Sequence, residues 1–321
     1  MKMNLSMPSQ SVHNPDRAAR NATLLGLVAI LLWSSSVAVC KSLQNQLGPM
    51  TAAAMIYTTA GAIGLAAQLL ARRKRPQAWR SIPPAYWLGG GFCFILYYFG
   101  FFTALGWASN SQQVMEMTLI NYLWPGLTLA LSVPILRRRA RPWLIPGMLL
   151  TLSGVALGLL QQNGRAFSSE LLVLNIKTHW APYLVMAIAA FAWAMYSNLS
   201  RKFSSTIDGS TLPFFLLGTG LAMMPLRYLF HETTVWTARA AGEFIFIALF
   251  VALLANMCWS VAMRRGNITL VSLAAYFTPL IAILINGLYL HIGIGLNLWV
   301  AGVLVVVGAL LCKVSIVEPA R

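Results

Sequence analysis

Tyr122-Leu123-Trp124-Pro125 and Tyr276-Phe277-Thr278-Pro279 stand 154 residues apart, each inside a long apolar stretch. A proline within a helix lacks the amide that would bond four residues back, so each quartet predicts an interrupted helix with a freed carbonyl. Such breaks are tolerated at membrane depth only where the released backbone faces protein or water. Two matched breaks in the two halves of a chain point to a central substrate site in a secondary transporter.

Composition agrees with that reading. Of 321 residues, 58% are hydrophobic and only 9% charged, and the mean hydropathy is +0.70. This excludes an ordinary soluble domain. The net charge of +16 would suit a nucleic-acid binder, but the Lys and Arg residues lie between apolar runs and form no basic domain. No nucleic-acid partner is expected; the charge is a topology signal, and the lipid bilayer is the surrounding medium.

Apolar runs of about 20 residues, enough to cross hydrocarbon, fall near 23–43, 50–70, 86–106, 111–136, 143–160, 182–199, 212–230, 244–263, 268–290 and 296–314. They predict an all-α membrane protein of ten transmembrane helices, mostly joined by short loops. Lys and Arg concentrate on cytoplasmic loops. Eighteen of the 23 cations fall in the even-numbered connections and the two tails: Lys2, Arg17, Arg20, Arg72, Arg73, Lys74, Arg75, Arg80, Arg137, Arg138, Arg139, Arg141, Arg201, Lys202, Arg264, Arg265, Lys313 and Arg321. The other side holds Arg165, Lys177, Arg227 and Arg239, with Lys41 inside the first span. Both termini are therefore expected in the cytoplasm. The first apolar run exceeds a signal-peptide core and should remain as the first span. Cys40, Cys93, Cys258 and Cys312 all fall within predicted helices, without metal spacing, and read as buried thiols.

Repetition extends beyond the proline quartets. At an offset of 160, Trp33 matches Trp193 and Lys41 matches Arg201; at 154, Gly154 matches Gly308. The expected organisation is a tail (1–22), a five-helix repeat (23–160), an external linker (161–181), a second five-helix repeat (182–314) and a tail (315–321). An odd number of spans per repeat inverts the second copy and creates a pseudo-two-fold axis in the membrane plane.

Asn121-Tyr122-Leu123-Trp124-Pro125, Tyr276-Phe277-Thr278-Pro279 and Gly266-Asn267-Ile268-Thr269-Leu270, with Leu32-Trp33-Ser34 and Glu116, resemble the drug/metabolite transporter superfamily, EamA-type. Within it they resemble aromatic amino-acid exporters of bacterial inner membranes. The resemblance implies a carrier moving Phe, Tyr, Trp and other neutral amino acids outward by alternating access. Such a small-molecule substrate needs an aromatic-lined pocket and a few polar groups for its ammonium and carboxylate.

Residues three and four apart share a helix face. Met115, Thr118, Tyr122 and Pro125 form one such face, and Thr269, Ser272, Tyr276 and Pro279 its counterpart. Each suits a cavity wall, though Thr and Ser also hydrogen-bond between helices. Pro125 and Pro279 are either hinges or fixed kinks. Glu116 is the one carboxylate well inside a predicted span; it meets a substrate ammonium, exchanges a proton, or is hydrated or paired with Lys41. Trp33, Tyr57, Tyr97, Trp193 and Trp259 lie deep enough to stack on a transported ring or to pack the core. Asn256, in mid-helix, needs a partner on another helix, backbone or substrate. Gly154 with Gly158, and Gly61 with Gly64, are close-packing positions.

No catalytic constellation, metal-binding group or Walker loop is present in the sequence, so neither an enzyme, an ATP-driven pump nor a bound cofactor is expected. Export of lipophilic cations remains an alternative cargo. A channel is a further alternative mechanism. A monomer is consistent with the pattern, which does not define the oligomeric state.

Overall fold

Proline at a first helical turn costs no intrahelical bond, and this chain uses it repeatedly to start helices. The computed structural model describes residues 15–72, 82–109, 111–162, 169–204, 211–289 and 296–317. In order, the elements are α1 (Pro15–Ser35), α2 (Val37–Leu47), α3 (Pro49–Arg72), α4 (Pro84–Gly106), α5 (Ser111–Asn121), α6 (Trp124–Ile135), β1 (Arg139–Ala140), α7 (Leu144–Gln162) and α8 (Ser169–Thr178). There follow α9 (Ala181–Lys202), α10 (Leu212–Met223), α11 (Leu226–Leu229), α12 (Ala238–Phe246), a π-helical stretch (Ile247–Ala255), α13 (Asn256–Arg265), α14 (Ile268–Ala275), α15 (Thr278–Tyr289), α16 (Leu296–Ser315) and β2 (Ile316–Val317). Gly48, at φ +85°, ends α2 in a conformation that favours glycine, and Pro49 immediately opens α3.

Among the described residues, seven helical stretches are long and apolar enough to cross a membrane: Asp16–Ser35, Pro49–Leu70, Pro84–Gly106, Glu116–Ile135, Ala181–Lys202, Leu212–Leu229 and Ala238–Arg265. Leu144–Leu157 and Trp299–Ser315 are shorter apolar helices. Large side chains such as Leu31, Leu88, Phe92, Leu149, Leu221 and Val303 are exposed on the outside of the bundle. That surface is suited to lipid, and the chain is a multi-pass helical membrane protein.

The closest helix pairings are α7 with α16, α3 with α10, α4 with α9, and α1 with α13; α6 packs on both α9 and α14. Small residues permit these approaches. A Cβ on Gly154 would lie 2.7 Å from the Ala301 carbonyl oxygen, and one on Gly308 would lie 2.7 Å from that of Gly147. A Cβ on Gly61 would lie 2.7 Å from the Leu217 Cα, joining α3 to α10. At one end of the bundle β1 pairs antiparallel with β2, Arg139 opposite Val317, and the Arg141 amide donates to the Ser315 carbonyl at 2.8 Å.

The helices differ from the sequence expectation in several places. Helix α1 begins at Pro15, inside the expected tail, and the seventh run breaks after Met223, with α11 resuming at Leu226. The first apolar run is interrupted at Ser36, whose hydroxyl donates to the Trp33 carbonyl. The linker contains the helix α8, whose ten residues are too short to span a membrane. The eighth run begins earlier, at Ala238, and carries the π-helical stretch. The fourth and ninth runs are each two helices rather than one kinked helix. Residues 1–14 of the tail, Arg73, Lys74, Arg75, Arg80, Arg165 and Arg321, the side chains of Lys41 and Met115, and the surroundings of Gly158 lie outside the described residues.

Candidate functional site

The two proline quartets produce equivalent joints. Helix α5 ends at Asn121 and α6 begins at Trp124; α14 ends at Ala275 and α15 begins at Thr278. Pro125 and Pro279 thus fall in the first turn of a new helix, where the missing amide is least costly. Backbone bonds tighten both turns: the Leu123 amide donates to Ile120 and the Phe277 amide to Ala274, each at 3.0 Å. A face running straight through Thr118, Tyr122 and Pro125 is therefore interrupted at Tyr122, and its counterpart at Tyr276.

Four tryptophans meet beside the first joint, from α1, α6, α9 and α13. Trp33 lies 5.8 Å from Trp193 and 5.3 Å from Trp259, and Trp124 lies 5.3 Å from Trp259 and 6.3 Å from Trp193. Helix α4 adds Tyr97, 4.6 Å from Trp193, and Tyr98, 5.7 Å from it; Tyr57 on α3 lies 4.5 Å from Tyr98. Edge-to-face and tilted pairs dominate, the arrangement favoured by ring quadrupoles. In this conformation the rings fill the space between the helices, with Trp193 only 1% exposed.

Polar groups are few within this cluster. Tyr98 donates its hydroxyl to Asn256 Oδ1 at 2.9 Å, while Asn256 Nδ2 donates to the Ala252 carbonyl at 2.8 Å in the π-helical stretch. The indole N–H of Trp259 is buried without a partner, as are Asn121 Oδ1 and Ser272 Oγ. Buried polar atoms are normally paired, so such atoms call for an explanation. Thr118 is half-buried. Tyr122 packs with Tyr276 and Leu280 in a separate apolar cluster, and the Tyr276 hydroxyl stands where a Cβ on Gly126 would be.

Glu116 is 7% exposed, and its carboxylate accepts bonds from the Tyr183 hydroxyl and, at 3.3 Å, from Asn175 Nδ2. These residues belong to α9 and α8, so the acid ties α5 to both. Thr269 is also engaged, accepting from Arg138 Nη1 at 2.9 Å. The Asn267 side chain caps α14 by accepting from the Leu270 amide at 2.9 Å, a local structural use for that motif.

The sequence pattern of the EamA-like transporter family matches residues 20–160 and, again, residues 180–313. The chain belongs to the EamA-like transporter family. Within it, the protein named aromatic amino acid exporter YddG from Salmonella typhimurium is 30% identical over 294 residues, covering 92% of this chain and 97% of that one. The protein of that name from Escherichia coli K12 is 30% identical over 91% of this chain and 97% of its own length. That from Ancylobacter novellus is 31% identical, covering 83% and 87%. A solved crystal structure superposes with a TM-score of 0.75 at 28% identity, covering 92% of this chain and 97% of that one.

In the fold of this EamA-like chain, Trp33, Tyr57, Tyr97, Trp193, Asn256 and Trp259 form one connected cluster, with Tyr98 linking Tyr57 and Asn256 to it. Glu116, Ser272 and Tyr276 have their neighbours elsewhere, while Tyr122 packs with Tyr276 and also lies near Tyr97 at the edge of the cluster. Trp124, Tyr98 and Asn121 belong beside the cluster and were absent from the candidate set. Asn121 had a readable signal: it lies four residues before Pro125, and its carbonyl is the one the proline releases. The ninth run does not keep its carbonyl free, because the Thr278 hydroxyl donates to the Ala275 carbonyl at 2.7 Å.

Proposed function

We propose that this chain exports aromatic amino acids, and other neutral amino acids less well, across the bacterial inner membrane as a secondary transporter. The observation that carries this reading is the aromatic cluster of Trp33, Trp124, Trp193 and Trp259 with Tyr97 and Tyr98, contributed by both family-matched stretches. Rings that stack on one another in the closed cluster offer the same faces to a transported ring when the helices part. The relatives' name, aromatic amino acid exporter, supports that cargo.

Ten membrane spans in two inverted repeats are the architecture we infer. The family pattern fits twice, and the helix contacts are reciprocal under exchange of the halves. Gly154 against the Ala301 carbonyl becomes, after a shift of 154, Gly308 against the Gly147 carbonyl. The pairings α4 with α9 and α13 with α1 exchange in the same way. The cation distribution supports both termini in the cytoplasm. Of the residues read as substrate-binding (Trp33, Tyr57, Tyr97, Glu116, Thr118, Tyr122, Trp193, Asn256, Trp259, Ser272 and Tyr276), we place Trp33, Tyr57, Tyr97, Trp193, Asn256 and Trp259 at the centre of the site, with the joints at Pro125 and Pro279 as hinges.

Alternating access then means breaking the ties at each end in turn. At the end assigned outside, Glu232 accepts from the Met50 and Thr51 amides, both at 2.7 Å, and Glu243 accepts from Ser42 at 2.8 Å and Gln46 at 3.1 Å. At the other end, Arg138 donates to Thr269 and β1 pairs with β2. Crosslinks that pin the outer ends of the first and fourth spans should stop efflux.

The deciding experiment is uptake of labelled Phe, Trp, Ala and a lipophilic cation into reconstituted vesicles, with and without a pH gradient. Saturable Phe and Trp flux with counterflow is expected. Flux of the cation alone would replace this cargo with the drug-export alternative; non-saturating downhill flux without counterflow would replace the carrier with a channel.

A further inference from the structure

Asn121 sits at the end of α5 with two acceptors that the fold leaves available. Its backbone carbonyl is the one Pro125 cannot reach with an N–H, and the amides that follow donate elsewhere, Tyr122 to Thr118 and Leu123 to Ile120. Its side-chain Oδ1 is buried without a partner, in a residue only 7% exposed. The equivalent joint is closed: 154 residues on, the Ala275 carbonyl accepts from the Thr278 hydroxyl at 2.7 Å. Trp124 occupies the position corresponding to Thr278 and has no hydroxyl to offer.

The surroundings specify the ligand. The Asn121 side-chain amide is a hydrogen-bonding neighbour of the Tyr97 hydroxyl, with Oδ1 left over, and the Tyr97 ring is 4.6 Å from Trp193 and 4.8 Å from Tyr98. Two oxygen acceptors at the rim of an aromatic cluster match a group that only donates, and a primary ammonium has three donors and no acceptor. A carboxylate in the same place would oppose its lone pairs to theirs. The backbone carbonyl accepts whichever way the amide side chain is turned.

We propose that Asn121 binds the α-ammonium of the substrate through Oδ1 and its backbone carbonyl, while the substrate ring enters the tryptophan cluster. The proposal rests on the amino-acid export reading and adds the residue that selects amines. It assigns unlike tasks to the two joints: the first holds the charged end of the cargo and the second is a closed structural turn.

The test is Phe counterflow in vesicles containing the full-length protein, with phenethylamine, which lacks the carboxylate, and 3-phenylpropionate, which lacks the ammonium, as competitors. In the wild type, phenethylamine should compete at least about tenfold better than 3-phenylpropionate. Asn121→Ala, which keeps only the backbone carbonyl, should raise KM for Phe by about tenfold or more and narrow that ranking, since hydrogen bonds to charged groups have effects of this size. Asn121→Asp should keep the preference for amines. Pro125→Ala, which returns an N–H to the Asn121 carbonyl, should weaken Phe and phenethylamine but not 3-phenylpropionate, and it decides the matter if Asn121→Ala does not fold. Equal competition by the two analogues in the wild type, or an unchanged KM and ranking in folded Asn121→Ala, would overturn the assignment. A wild type without Phe counterflow would instead overturn the export reading itself.

Discussion

The joint between α5 and α6 and the joint between α14 and α15 share a Tyr-x-x-Pro sequence, a two-residue turn and a separation of 154 residues, yet their side chains have diverged. Where the first has Asn121, Trp124 and Gly126, the second has Ala275, Thr278 and Leu280. In the second, Thr278 closes the carbonyl that proline released, and the turn needs nothing further. In the first, the corresponding carbonyl adjoins an unpartnered amide oxygen and a ring that belongs to the tryptophan cluster. Backbone geometry has been kept in both copies, while polar chemistry is concentrated in one.

The largest effect expected from disturbing this difference is at Gly126. A Cβ there would meet the Tyr276 hydroxyl and come within 2.7 Å of Met148 Cε, so the second joint docks its tyrosine on the first only because position 126 is glycine. Gly126→Leu, which copies the second joint into the first, should destabilise the protein by about 1–3 kcal/mol or more through overpacking. Thermal unfolding in detergent would read this as a lowered Tm. Adding Tyr276→Phe should recover part of the loss by removing the clashing hydroxyl; no recovery would show that the tyrosine is not what position 126 accommodates.

A smaller effect is expected in the second joint itself. Thr278→Val keeps the shape and removes the donor to the Ala275 carbonyl, leaving a buried acceptor unpaired. The cost should be about 1–3 kcal/mol, seen as reduced thermal stability with KM for Phe unchanged. A change in competitor ranking without loss of stability would erase the distinction between a structural joint and a substrate joint.

Much of the architecture was legible because it is periodic or local. Apolar run length announced most helices, the two prolines announced the joints, and Gly154 and Gly61, each in a small-residue pair, announced close helix contacts. The departures came from interactions that leave no periodic trace. Glu116 meets Tyr183 and Asn175, 67 and 59 residues away in sequence, and nothing in its own segment points to them. The π-helical stretch lies in an unbroken apolar run whose hydropathy is the same for either helix type. Thr278 was different: a hydroxyl one residue before a proline lies three residues after the released carbonyl, so its closing bond could be read from Thr278-Pro279 alone. The same reading applied to Trp124-Pro125 leaves Asn121 open.

Glu116 offers the smallest and most discriminating change. Its counterpart 154 residues on is Leu270, 42% exposed, so the acid, like Asn121, belongs to the first copy alone. Its partners point elsewhere, since Tyr183 and Asn175 both donate to it and both lie on α8 or α9. A docking role requires acceptors rather than a charge. Glu116→Gln keeps one carbonyl oxygen for these donors and should cost about 1 kcal/mol or less, in the range measured for hydrogen bonds between membrane helices. KM for Phe should stay within about twofold of the wild type, and the response of flux to a pH gradient should not change. A flux that loses its pH response in this variant would move Glu116 into the transport cycle, and the first joint would then handle a proton as well as an ammonium.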